Sequence, residues 1–316
     1  VATINTALNG GTSVTVKTVS GGGTNATGTG AITVASSISK TAGGAATLTL
    51  DSISSIGGNG NIISAPAGGA LSVSMFSVAD NTYGGNITTR NGAVNIISSG
   101  GSVKLAGGAI NSGTGAISLS TTGLGNIILG SDLISSSSVT LNSTAGSITL
   151  NSNIDVSSAT TAVGPGTVSL SASTGISRGT GGVITLPALQ SASLASLTFR
   201  AGGNVTINVS TGAELAVGDP GPAISGETTD GSVTLRNVGP ALSTLDERGI
   251  KTTRGFELIG GLGTTILTGQ LFDTGGSASY VRSGEVTAGI IIPNSSTRLF
   301  PKIVTPGSVT FQGVSR

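Results

Sequence analysis

The stretch VTLNSTAGSITLNS, residues 139–152, repeats its own phrase nine positions on: Val-Thr-Leu-Asn-Ser and then Ile-Thr-Leu-Asn-Ser. In an extended chain Val139 and Leu141 point to one side, Thr140 and Asn142 to the other. Similar apolar pairs recur along the sequence, among them Val14/Val16, Leu48/Leu50, Val94/Ile96, Ile117/Leu119, Ile127/Leu129, Val168/Leu170, Val205/Ile207, Val233/Leu235 and Val309/Phe311. Gly, Ser, Asn and Ala fill the intervals, residues that turn a chain at little conformational cost. A 3.6-residue periodicity never persists, so no amphipathic helix is expected.

Short strands at even spacing indicate a sandwich, a barrel or a solenoid. Many of these strands offer only two inward residues, whereas a sandwich or barrel uses strands of about five or six. Two inward residues suit a narrow interior filled by stacking like residues from successive coils. Val94, Ile117 and Val139 follow one another at nearly equal intervals, and Ile127 and Ile148 keep the same step. Alternate units therefore recur once per coil, and the nine-position echo is one side of a coil plus its corner. The expected fold is all-β, a parallel β-helix (β-solenoid) of about 14–16 coils, at roughly 20–22 residues per coil. At about 4.8 Å per coil the rod would be about 70 Å long.

Composition fits that architecture. Only 9% of the 316 residues are charged, against about 25% in typical soluble proteins. Aromatics make up 3%, and Trp, Cys and His do not occur. A solenoid stabilised by stacked backbones and small aliphatic columns needs few salt bridges and few aromatic anchors. Gly and Pro together account for 62 residues, about 20%, and the mean hydropathy is +0.35. Both oppose disorder, which favours low hydrophobicity and high charge. A net charge of +1 gives no basic stripe for nucleic acid, and no apolar run is long enough for a membrane helix. The start, VATINTALNGG, lacks a basic n-region, a long apolar segment and Met, which predicts a processed product or an excised segment.

The later part of the chain differs. Ten of the 27 charged residues fall in 1–200 and 17 in 201–316, where six of the nine prolines also lie. Two regions are expected: regular β-helix repeats over 1–239, and over 240–316 an irregular, more charged continuation or a capping or docking segment.

The segments SLASLTFRAGGNVTINVSTG (193–212), GAISLSTTGLGNIILGSD (115–132) and GSITLNSNIDV (146–156) resemble the repeats of filamentous-haemagglutinin-like exoproteins, large bacterial proteins secreted by a two-partner system. The resemblance covers most of 1–235 in style. It implies a right-handed parallel β-helix, export to the cell surface, and a role in adhesion or surface structure. The Asn-Pro-Asn-type motif of that family's secretion domain does not occur in this chain.

Candidate chemistry is sparse. LFDTGGSAS (271–279) looks like the Asp-Thr-Gly loop of aspartic proteases, but that chemistry needs two carboxylates sharing a proton, and no second Asp-[Thr/Ser]-Gly exists. Without His or Cys there is no His-based triad and no zinc site of the usual kind. GGNGNII (57–63) is faintly similar to a calcium-binding nonapeptide with Asn61 where Asp is expected. In GDPGPAISGETTDG (218–231), Asp219, Glu227 and Asp230 could offer oxygens to calcium. Polysaccharide cleavage needs clustered carboxylates, for which Asp246, Glu247, Arg248, Lys251, Arg254 and Glu257 are the candidates. A Gly-rich turn or a solvated loop accounts for each of these strings as well.

No residue is therefore assigned to catalysis, to a cofactor or to a metal. The expected function is a non-catalytic extracellular rod of a bacterial cell surface, structural or adhesive, with cell-surface or matrix components as partners. The apolar-polar start (Val1, Thr3, Ile4, Leu8) shows no helical cap, which predicts head-to-tail stacking into filaments. The alternatives are a β-helical polysaccharide-acting enzyme and a calcium-dependent binding module.

Overall fold

The computed structural model describes residues 1–18, 30–159, 166–187, 196–211 and 223–238, and beyond these only short backbone segments between residues 250 and 312. The opening phrase folds as its alternation demands. In Ser138–Ser143, Val139 and Leu141 are buried while Thr140 and Asn142 face outward. In Ile148–Leu150 the pattern repeats. These two strands lie on successive faces of one coil, and Ile154–Asp155 forms the third face.

Every strand pairing among the described residues is parallel and joins one coil to the next. Face 1 is an 11-stranded sheet running from Val14–Lys17 to Asp273–Thr274. The spacings read from the sequence are the register itself: Val94 pairs with Ile117, Ile117 with Val139, and Ile127 with Ile148. Faces 2 and 3 are separate ladders until Val205–Thr211. That seven-residue strand pairs through Val205 with Ile176 of face 2 and through Asn208–Thr211 with Val183–Leu186 of face 3. The corner between the two faces is thus straightened in this coil. Further on, parallel pairing continues through Phe256 with Ala278, and a three-stranded sheet joins Thr265–Leu267, Val286–Gly289 and Val309–Gln312.

The core is a set of columns. On face 1 the file Leu50, Met75, Ile96, Leu119, Leu141, Leu170, Phe199 is buried throughout, as is Ile38, Ile62, Ile87, Ile110, Leu133, Ile154, Ile184 on face 3. Each such side chain removed from water contributes about 1.5–3 kcal/mol before entropy is counted. The corners are polar but satisfied. At the end of face 1 the inward file is Ser52, Ser77, Ser98, Thr121, Ser143, and each hydroxyl donates to a corner carbonyl; Thr121 and Ser143 share Gly125 O, both at 2.9 Å. At the end of face 3, Ser64, Thr89, Ser112 and Ser135 do the same.

Outside the strands the backbone ladder is continued by side chains. Asn61 Oδ1 accepts from Asn86 N–H at 2.9 Å, Asn86 Oδ1 from Ala109 N–H at 2.8 Å, and Asp132 Oδ1 from Asn153 N–H at 2.9 Å. This is why Asn, Asp and Ser crowd the turns: each carries an acceptor that pairs an amide one coil away. Glycine serves a different need. A Cβ on Gly125 would lie 1.8 Å from Gly101 O, and one on Gly146 would lie 2.3 Å from Gly125 O. Successive corners simply touch.

Three expectations are corrected. Coils on either side of the regular stretch are longer than the expected interval: Leu48 pairs with Val73, and Val139 with Val168. Face 1 therefore reaches Thr274 in 11 strands, and the coil count falls below that expected from the sequence. The N-terminus does form a helix, α1 (Ala2–Asn9), with Leu8 fully buried. It makes barely two turns, too few for a helical periodicity to emerge from the sequence. And α1 is a cap. Ile38 N–H points downstream to Asn61 O, so the alternate amides of that strand point upstream. Ser39 N–H is met by Asn5 Oδ1 at 3.0 Å and Thr41 N–H by Asn9 Oδ1 at 2.6 Å, while Thr47 N–H finds Ser13 Oγ at 3.0 Å. Side-chain oxygens thus replace the carbonyls of an upstream coil.

Candidate functional site

The outward residues of face 1 form files as straight as the core columns. One file reads, in register, Lys17, Asp51, Phe76, Ile97, Ser120, Asn142, Ser171, Arg200, Glu227. By backbone register it continues to Lys251 and Asp273. Charges occupy the ends and alternate in sign. Lys17 Nζ lies 2.8 Å from Asp51 Oδ2, and Arg200 Nε lies 2.9 Å from Glu227 Oε1. The neighbouring file is small and mostly hydroxylated, with Thr49, Ser74, Asn95, Ser118, Thr140 and Ser169.

At the corner that closes face 1, Asn142, Thr144, Ser171, Ser173, Arg200 and Thr229 line a shallow groove of about 360 Å³. Its walls mix hydroxyls, an amide and one guanidinium with the apolar surface of Ala172, Ala201 and Gly202. Further towards the N-terminus the same corner is apolar: Ile53 and Val78 are exposed, and Phe76 and Ile97 are half-buried beside them. The face is thus graded, from an ion pair through an apolar patch to a groove of mixed lining and a second ion pair.

Comparison with known proteins finds no matching family model, no matching curated protein and no matching solved structure.

Of the residues singled out from the sequence, those that are described fall at separate places. Asn61 of GGNGNII is occupied as an acceptor for Asn86. Glu227 is committed to Arg200, Asp230 sits in the turn after Ala223–Thr228, and Asp219 lies outside the described residues. Asp246, Glu247, Arg248 and Arg254 also lie outside them. Lys251 belongs by register to face 1, opposite Glu227 and Asp273, whereas Glu257 belongs to face 2, opposite Thr234 and Ser279. The two are therefore on different ladders. Among the described residues no three His, Cys, Asp or Glu side chains cluster to hold a metal, and no helix is long and apolar enough to cross a membrane.

Asp80 shows how acids are used on this rod. Its carboxylate accepts from Lys104 Nζ at 2.6 Å and from Ser102 N–H at 2.8 Å. The Lys104 hydrogen bond, with the Ser102 amide second, holds its pKa below the usual carboxylate value. Both side chains are substantially exposed, so solvent screens the pair. The alternating file on face 1 escapes a linear reading because its members lie a whole coil apart. Only alignment of the coils in register brings Lys17 beside Asp51 and Arg200 beside Glu227.

Proposed function

We propose that this chain is a non-catalytic rod of a bacterial cell surface, which spaces and presents a polar face to cell-surface or matrix components. The observation that carries this reading is the parallel ladder of face 1, coil on coil from Val14 to Thr274, over an interior filled by aliphatic columns. Such a body lengthens without widening and resists bending, because deforming it breaks many stacked hydrogen bonds together. Its surface supports the same reading: short Ser, Thr and Asn side chains, with Asp51, Asp80 and Glu227 each held by a basic partner and Asp132 and Asp155 by backbone amides, suit hydrogen bonding to hydroxyl-rich surfaces. The style of the repeats and the lack of cysteine fit an exported chain.

The test combines shape, display and turnover. Small-angle scattering should give a rod, protease treatment of intact producing cells should remove the chain, and a broad glycan panel should show binding at most, without cleavage. Release of shorter oligosaccharides would overturn the non-catalytic reading. Protection of the chain inside intact cells would overturn its surface location.

A further inference from the structure

The charged file of face 1 has a symmetry that a single rod does not use. Nine of its members, from Lys17 to Glu227, belong to consecutive coils. Reversed, the file reads Glu227, Arg200, Ser171, Asn142, Ser120, Ile97, Phe76, Asp51, Lys17. Set against the original, Lys17 meets Glu227 and Asp51 meets Arg200 at each end, and Ser120 meets itself at the centre. We propose that two copies of this chain pair face 1 to face 1 as antiparallel rods, with the two-fold axis passing beside Ser120.

A two-fold axis along the strand direction reverses the rod and leaves each file opposite its own copy, the self-complementary geometry of an isologous dimer. Each end then holds a square of alternating charges, in which the intrachain pair Lys17–Asp51 lies against Arg200 and Glu227 of the second copy. The apolar patch also meets a concave surface of mixed lining that includes Ala172 and Ala201. The half-buried Phe76 comes opposite Ser171, and Ile97 opposite Asn142, so the apolar patch of one rod lies on the groove of about 360 Å³ of the other. The hydroxyl file beside them has no side chain larger than Asn95, and so allows the close approach of about 10 Å at which sheets stack.

The register is fixed by sign. A slip of one coil one way sets Lys17 against Arg200, and the other way sets Asp51 against Glu227; like charges juxtaposed across an interface are strongly disfavoured. A slip of two coils sets Lys17 against Asp273 and Asp51 against Lys251 by register, which restores the signs but places Phe76 against Glu227. Nine strands about 4.8 Å apart and about five residues wide give on the order of 700 Å² per partner, near the roughly 800 Å² of a standard interface. The inference rests on the fold alone and is independent of where the rod is displayed.

Two double swaps test it by sedimentation equilibrium of the full chain. Lys17→Glu with Asp51→Lys keeps its intrachain ion pair and the net charge, yet faces like charges on a second copy of itself. Arg200→Glu with Glu227→Arg does the same at the other end. The unmodified chain should form a reversible dimer that weakens with salt. Each swapped chain alone should lose at least about tenfold in affinity. An equimolar mixture of the two should recover the dimer, because every contact in the mixed pair is again of opposite sign. A Ser120→Cys variant, in a chain with no other cysteine, should also be captured as a dimer by a short bis-maleimide linker, which keeps the test decisive if a swap fails to fold. A monomeric unmodified chain would overturn the proposal. So would a swapped chain that dimerises as well as the original, a mixture that stays monomeric, or an Asn142→Cys variant that cross-links in place of Ser120→Cys.

Discussion

The Lys40 ammonium donates to the carbonyl oxygen of Leu8 at 2.8 Å and to that of Ala42 at 2.5 Å, with none of its surface exposed. Leu8 lies in the last turn of α1, so a buried cation meets the negative end of a helix and joins the cap to the first coil. One coil on, the same register position is Ser64, a hydroxyl that reaches its own corner carbonyl. The long side chain occurs where the acceptor belongs to a different element.

Removing residues 1–12 should therefore convert a closed end into an open one. The upstream amides of Ser39, Thr41 and Thr47 would lose Asn5 and Asn9, with Ser13 left on an untethered strand end. An open ladder recruits another strand. Electron microscopy should show the truncated chain joined through that end, and light scattering should report species larger than any the intact chain forms. A truncated chain that assembles no further than the intact one would refute the capping role. Head-to-tail growth, expected from the sequence, is thus predicted for the uncapped rod.

The parts of this molecule that could be read from its sequence are those that repeat. Val94, Ile117 and Val139 announce their register because a column needs the same kind of residue once per coil, and spacing alone reveals it. The cap could not be read this way, since α1 is short and works through Asn5, Asn9 and Lys40, polar side chains indistinguishable by type from those in turns. Longer coils such as Val139 to Val168 hide their register behind an insertion. The ladder assignment of the charged stretch was hidden for a related reason: Lys251 and Glu257 are close in sequence but belong by register to different ladders.

Asn81 breaks the core rule and should yield stability when repaired. It is fully buried on face 2, in register with Ile56 and Val103, and neither Nδ2 nor Oδ1 has a hydrogen-bond partner. A buried amide without partners costs about 1–3 kcal/mol. Asn81→Val, which matches its column neighbour Val103, should raise the unfolding free energy by about 1–2 kcal/mol. Urea unfolding followed by circular dichroism measures it. An unchanged or lowered midpoint would mean the amide is satisfied in solution, for instance by a trapped water.

Gly125 tests the tightness of the corners. Its missing side chain leaves room for Gly101 O, which would sit 1.8 Å from an added Cβ, and the obstructing atom is backbone. Gly125→Ala must therefore spread two coils and strain the shared acceptor of Thr121 and Ser143. The expected loss is about 3 kcal/mol or more. Gly44→Ala, where nothing lies within 4 Å of the added atom, should change stability by less than about 1 kcal/mol. Equal effects at the two sites would show that conformational freedom, and not close approach, is what glycine supplies at Gly125.

Tyr83 should make the rod sensitive to alkali. It is 1% exposed and its hydroxyl donates to Gly60 O. Burial raises its pKa far above the usual tyrosine value. In the unfolded chain the phenol ionises near pH 10, so above that value the unfolded state has released a proton that the folded state retains. Stability is then independent of this group below about pH 10 and falls as pH rises beyond it. In a Tyr280→Phe background, which leaves Tyr83 as the single tyrosine, phenolate absorbance should appear only together with loss of the β-sheet circular dichroism signal. Tyr83→Phe should flatten the alkaline slope while costing about 1 kcal/mol at neutral pH through the lost bond to Gly60. Reversible ionisation near pH 10 in the folded rod would show that water reaches this hydroxyl and that the column is open there.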